Sequence, residues 1–261
     1  MNIDAIQNIL RDVGSTLLSL RAQGPIQGTW HTTQFKTDAD LIAEEIIKNG
    51  LLSLTPQLPV LSEEDDSSHS INRLARYWLV DPIDGTASYA EGYSGFVSQI
   101  ALMEGAQPIF SAVYAPVSDT MYLAERGAGA TANDKILSVK PLRNGIILTD
   151  NYPEPRGIAS LLCEKLPCDG YLESGSLGLK ICKVADGQAN LFVKDVSVCD
   201  WDLAPGHLIL HEAGGVMRDI KDREIDYSGG IANSHGLIAA NSENLLVKVS
   251  MLLKQGNKDV S

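Results

Sequence analysis

The stretch RYWLVDPIDGTASYAEG, residues 76–92, runs from mostly apolar residues straight into Asp81 and Asp84, with Pro82, Gly85 and Thr86 packed around them. A buried strand is predicted to end at two carboxylates. Without a partner they would be costly there, so a positive charge is expected close by. Pro82 stiffens the exit from the strand, and Gly85 permits a tight turn. Such a turn can aim both carboxylates and the Ile83 carbonyl at one point, an all-oxygen set suited to the hard cation Mg²⁺. Gly85 and Thr86 can then open a short helix whose free N–H groups bind a phosphate. The alternative is a plain hairpin turn, since Asp-Gly is a common turn pair.

Three further acidic sites fall at predicted element ends. SEEDD (62–66) closes a short apolar run, TDAD (37–40) opens a helix, and CDWDLAPGHLILHEAGG (199–215) places Asp200 and Asp202 at another helix start. Taken singly they read as a solvated loop and two helix caps. Their joint occurrence with a phosphate-type turn favours a shared site. Aspartyl-phosphate phosphatases of the haloacid dehalogenase type use D-x-D, which the D-x-x-D spacing here does not match.

The chain has 261 residues, enough for one large domain or two intimate halves, with 44% apolar and 21% charged residues. No apolar run approaches the ~20 residues of a membrane span, and no secretory signal is visible. The four cysteines (Cys163, Cys168, Cys182, Cys199) include no C-x-x-C pair, which fits a reduced cytoplasm better than a zinc ribbon or disulfide framework. A net charge of −12 excludes a nucleic-acid polymer as partner and makes an anionic substrate awkward unless cations reverse the field locally.

Helical spacing of Ile3, Ile6, Leu10, Val13, Leu17 and Leu20 predicts a helix over 3–22, and a second is predicted over 39–52. FVSQIALM, PIFSAVYAP and TMYLAER (within 95–126) read as an antiparallel meander. After residue 140 helices and strands alternate. The expectation is an α/β (α+β) chain in two halves, 1–138 and 139–261, sharing an interface: the first carries the D-P-I-D-G-T turn, and the second adds the W-D motif and substrate contacts.

LSEED, WLVDPIDGT and WDLAPGHLILHEAGG, in this order and spacing, resemble the signatures of the inositol monophosphatase superfamily, over about residues 37–241. In texture the chain is most similar to the bacterial CysQ-type 3′(2′),5′-bisphosphate nucleotidases within it. The resemblance implies a layered α-β-α-β-α sandwich and a lithium-sensitive, Mg²⁺-dependent phosphomonoesterase with two or three ions per site, acting on a small phosphorylated substrate, in a family where homodimers are common. By motif it implies Glu63, Asp81 and the Ile83 carbonyl as ligands of one ion, and Asp81, Asp84 and Asp202 as ligands of a second. Asp40 would assist a third and bond Thr86, with Glu64 one step removed. Glu63, Thr86 and Asp40 would position the attacking water, and the N–H groups of Gly85 and Thr86 would hold the phosphoryl oxygens. Ser176 and Lys180, in GSLGLK (175–180), would contact substrate, Lys180 at a second phosphate; otherwise Lys180 is an exposed helix lysine.

Ala87 and Ser88 depart from both branches, since the nucleotidases carry lysine and glutamate after D-G-T and the inositol phosphatases threonine and asparagine. Pro205 also replaces a usually small residue. These departures bear on the substrate, with an inositol or other polyol monophosphate as the alternative to the bisphosphate nucleotide. A non-catalytic metal- and nucleotide-binding protein would need a broken acidic set, and the set is intact. His207 and His211 share a helix face but lack the glutamate of a zinc protease motif; GYSG (92–95) is no nucleophile elbow, and GAG (127–129) lacks a third glycine.

Overall fold

The computed structural model describes residues 1–31, 34–70, 74–141, 145–233 and 235–256. Helix α1 (Ile3–Ala22) buries Ile6, Leu10, Val13 and Leu17 along one face, the stripe that its spacing predicts. The hairpin β1 (Gly28–His31) and β2 (Gln34–Thr37) leads into α2 (Asp38–Leu54), whose first turn is closed by a reciprocal cap between Thr37 and Asp40. Both helices lie on one face of a seven-stranded sheet and share a core with Trp78, Val80, Ile100 and Phe110.

That sheet runs β3 (Val60–Ser62), β4 (Arg76–Asp84), β5 (Val97–Glu104), β6 (Gln107–Ala115), β7 (Thr120–Glu125), β8 (Gly129–Ala132) and β9 (Lys135–Ile136), in spatial order as in sequence. It is antiparallel except for the β3–β4 pair. A one-turn helix, α3 (Thr86–Ala90), leaves the end of β4.

The remaining chain builds a second sheet. It contains β10 (Ile146–Asp150), α4 (Ile158–Lys165), β11 (Cys168–Glu173), α5 (Leu177–Ala185), β12 (Leu191–Lys194), β13 (Val198–Cys199), α6 (Asp200–Glu212), β14 (Val216–Arg218), β15 (Ala232–Asn233), β16 (Leu237–Ala240) and α7 (Glu243–Gly256). Five of these strands pair in the order β11-β10-β12-β16-β14, and β13 pairs separately with β15. Helices α5 and α6 fill the space between the two sheets, around Trp201, Leu203, Ile181 and Phe192. Helices α4 and α7 cover the outer face of the second sheet.

The layers are therefore helix, sheet, helix, sheet, helix. Every strand of the large sheet precedes residue 137, and every strand of the five-stranded sheet follows residue 145. The inner helices belong to the later half of the chain yet pack on the earlier sheet. This arrangement carries the start of α5 and of α6 to the end of β4.

Candidate active site

The geometry begins with a register fault. In a regular strand, residues three apart point to opposite faces, so Asp81 and Asp84 should diverge. In the β4–β5 pair Asp81 lies opposite Gln99 and Asp84 opposite Val97, three steps against two. The extra residue is a β-bulge, and it turns both aspartates to the same side. Gln99, on the neighbouring strand, donates through Nε2 to Asp81 Oδ2 (3.2 Å) and Asp84 Oδ2 (3.3 Å), holding the two together. At the strand exit Gly85 has φ +90°, which only glycine adopts freely, and a Cβ there would come 3.0 Å from the Gly95 carbonyl.

Carboxylate oxygens of Glu63, Asp81 and Asp202 lie within 4.8 Å of one another. Glu63 follows β3, and its carbonyl is bonded by the His69 ring at 2.9 Å. Asp202 stands in the first turn of α6, where its Oδ2 accepts from the Cys199 N–H at 2.6 Å. Burial and mutual repulsion raise these acids above the ordinary carboxylate range. Burial and the charges of Asp202 and Glu64 push Glu63 well up, burial and Glu63 do the same to Asp81, and burial with Asp84 raises Asp202 to about 7. Asp81 is fully buried, and its Oδ1 meets no hydrogen-bond donor. A buried carboxylate oxygen without a donor, beside two more carboxylates, is what a divalent cation would resolve, so the donor set fits a hard metal ion.

Asp84 and Asp40 are not in that trio. Both Asp84 oxygens are engaged by the start of α5: Oδ1 by the Leu177 N–H (3.1 Å), and Oδ2 by the Gly178 N–H and the Ser176 hydroxyl (both 2.6 Å). A strand-end carboxylate thus caps a helix from the other half of the chain. Asp40 Oδ2 accepts from the Thr37 N–H and hydroxyl, both at 2.7 Å, and Oδ1 from the Thr86 hydroxyl at 3.1 Å. Burial lifts Asp40 to about 6 against the opposing pull of these bonds. The Ile83 carbonyl lies 2.9 Å from the same Thr86 hydroxyl. Glu64 turns away to pair with Lys36 at 3.0 Å.

Two residues expected to contact substrate are buried and bonded within the protein. Lys180 is not the exposed helix lysine of the alternative reading. It is 1% exposed, its ammonium donates to the Asn151 side chain and to the carbonyls of Ser174 (3.2 Å) and Gly175 (3.3 Å), and it lies over the Phe192 ring. Burial draws it down to about 7, opposed by Asp84 and Asp150. With three donors used, it anchors the loop beneath the site. Ser176 is fully buried and spends its hydroxyl on Asp84 and on capping Leu179. His207 is a half-buried packed residue 2.9 Å from the Tyr227 hydroxyl, with desolvation pulling it down to about 4.

A cavity of about 250 Å³ opens over the trio, reaching Asp84, Gly85, Thr86, Ala87, Ser88, Asn151 and Gly175. Trp30 and Phe35 of the β1–β2 hairpin also line it. Gln99, Asn151 and the two aromatic residues escaped sequence reasoning. Gln99 had a signal, a lone amide inside a mostly apolar strand.

The sequence profile of the inositol monophosphatase family matches residues 3–255. The 3′(2′),5′-bisphosphate nucleotidase CysQ of Salmonella typhimurium is 35% identical over 201 residues, 74% of this chain and 79% of that protein. The Nus factor SuhB of Xylella fastidiosa is 30% identical over 234 residues, 85% of this chain and 80% of that one. Among solved structures, the suhB protein of Bartonella henselae superposes with a TM-score of 0.82 at 26% identity, covering 97% of this chain and 98% of that chain. A Thermotoga maritima IMPase superposes with a TM-score of 0.80 at 25% identity, covering 95% and 96%.

Proposed function

Because the chain belongs to the inositol monophosphatase family, we propose that it is a Mg²⁺-dependent phosphomonoesterase whose substrate is a 3′(2′),5′-bisphosphate nucleotide, such as adenosine 3′,5′-bisphosphate hydrolysed to AMP and phosphate. The observation that carries the reading is the set of Glu63, Asp81 and Asp202, brought together from the ends of β3 and β4 and the start of α6, with the Gly85–Thr86 turn at its edge. Identity to CysQ supports the nucleotide, and the reducing compartment that such an enzyme would occupy fits four free thiols.

Glu63, Asp81 and Asp202 would hold the cation, with Asp84 free to join if it yields a bond to α5. A bound divalent cation supplies charge neutralisation, activation of water and stabilisation of the leaving oxygen. The chain's own groups do the positioning. Asp40 accepts a hydrogen bond from the Thr86 hydroxyl, which leaves the Thr86 oxygen's lone pairs to accept one from an attacking water. Glu63 also lines the cavity and would act as a second orienting carboxylate. The Gly85–Thr86 backbone offers N–H groups to the phosphoryl oxygens.

Phosphate release tests this on a panel of adenosine 3′,5′-bisphosphate, inositol 1-phosphate and fructose 1,6-bisphosphate, with Mg²⁺, with chelator, and with added Li⁺. Preference for the nucleotide, lost on chelation and inhibited by Li⁺, is expected. Preference for inositol 1-phosphate would give the site to the second reading, a polyol monophosphatase, which the fold likeness to the IMPase structure favours.

A further inference from the structure

Trp30 is 67% exposed, while the other two tryptophans, Trp78 and Trp201, are 1% and 0% exposed. An indole left so open gains nothing from folding, and it stands in the same cavity as the acidic trio. In the hairpin register Trp30 lies directly opposite Phe35, so the two side chains share one face. Their rings are 5.4 Å apart and inclined by 55°, an open angle lining a cavity otherwise built of acids and small residues.

The hairpin is shaped to hold this pair. A Cβ on Gly28 would come 2.6 Å from Phe35 Cζ and from the Lys36 carbonyl, so only glycine lets the Phe35 ring lie across the opposite strand. The far end of the hairpin is tied to the site: Lys36 pairs with Glu64, next to Glu63, and Thr37 bonds Asp40, which bonds Thr86. The strand that carries Phe35 is therefore tied to the turn where a phosphate would sit.

We propose that Trp30 and Phe35 form a stacking platform for the planar base of a nucleotide substrate. This rests on the phosphatase reading of the site and adds the feature that would select a base-bearing substrate. A phosphate at the Gly85–Thr86 turn leaves the sugar and base to extend along the cavity. A base brings a π face that needs no hydrogen-bond partner there, whereas a polyol would bring hydroxyls that lose water against two aromatic rings.

The test reads Trp30 directly. With Mg²⁺ present, AMP is expected to quench the exposed tryptophan fluorescence, ribose 5-phosphate and inositol 1-phosphate are not, and Trp30→Phe removes the quenched signal. In parallel, the ratio of kcat/KM for adenosine 3′,5′-bisphosphate to that for ribose 3,5-bisphosphate should fall about tenfold in Trp30→Ala and be largely kept in Trp30→Phe. Absence of quenching by AMP, equal quenching by the base-free ligands, or an unchanged ratio in Trp30→Ala overturns the platform. Base-specific quenching in an enzyme that hydrolyses only polyol phosphates would keep the platform and refute the nucleotidase reading instead.

Discussion

Asp81 and Asp84 are alike in sequence and opposite in what they face. Asp81 keeps an oxygen without a donor and lies beside Glu63 and Asp202, while both oxygens of Asp84 are engaged by the start of α5. The charge in the trio is therefore best probed at Asp202. An asparagine there keeps an oxygen for the Cys199 N–H and removes one buried negative charge. Asp202→Asn should fold, melt higher than the wild type by several degrees in chelator at pH 8, and lose the stabilisation that Mg²⁺ gives; thermal melts with and without Mg²⁺ check all three. Asp84→Ala acts differently. It strips two N–H groups and a hydroxyl of their acceptor, so it should cost about 1–3 kcal/mol of stability by denaturant unfolding, whether or not metal is present.

At the scale of elements, the site is an agreement among a bulged strand, its neighbour and two helix starts. Gly178 shows how close the agreement is, since a Cβ there would lie 2.1 Å from Gln99 Oε1. Gly178→Ala should push the Gln99 amide off both aspartates, destabilise the fold by about 1–3 kcal/mol and lower kcat more than it raises KM. Chemical denaturation and steady-state kinetics measure the two effects. Alanine at Gly229, where nothing lies within 4 Å, is the control.

These elements were legible to different degrees. The stripe of α1, the capped start of α2 and the meander follow from periods and turn residues that act locally. The bulge did not, because it exists only in the pairing of β4 with β5, where Gln99 and Val97 set the count. The same non-local contact explains Lys180, whose neighbours read as helix surface until the two sheets close over α5. Trp30 and Phe35 sit in a polar run, and only the hairpin register makes them a pair. The acidic residues were found because charged groups at apolar strand ends have few bland explanations; which of them point at one another was not in the spacing.

Over the whole molecule, the net charge of −12 and four acids raised by burial make the metal-free protein sensitive to pH. Asp40 and Asp202 titrate near 6 and 7 in the fold and near 3.8 in the unfolded chain. Between those values the folded state holds more protons, so stability falls as pH rises through the window. His207, drawn down to about 4, works in the opposite direction below its ordinary 6.5, but it is one group against four. The metal-free protein should therefore melt lower at pH 7 than at pH 5. Mg²⁺, which favours the ionised acids, should flatten that slope, and Asp202→Asn should reduce it in chelator. Thermal melts across pH 5 to 7 decide it.

The central claim is that the trio is a divalent metal site serving phosphate ester hydrolysis. Its most direct measurement is the rate of phosphate release from adenosine 3′,5′-bisphosphate as Mg²⁺ is titrated into metal-free wild type and metal-free Asp202→Asn. The account expects saturable activation in the wild type and a rate at least about a hundredfold lower in the variant, with its fold intact by circular dichroism. Release that needs no metal, or equal activation of the folded variant, would contradict it.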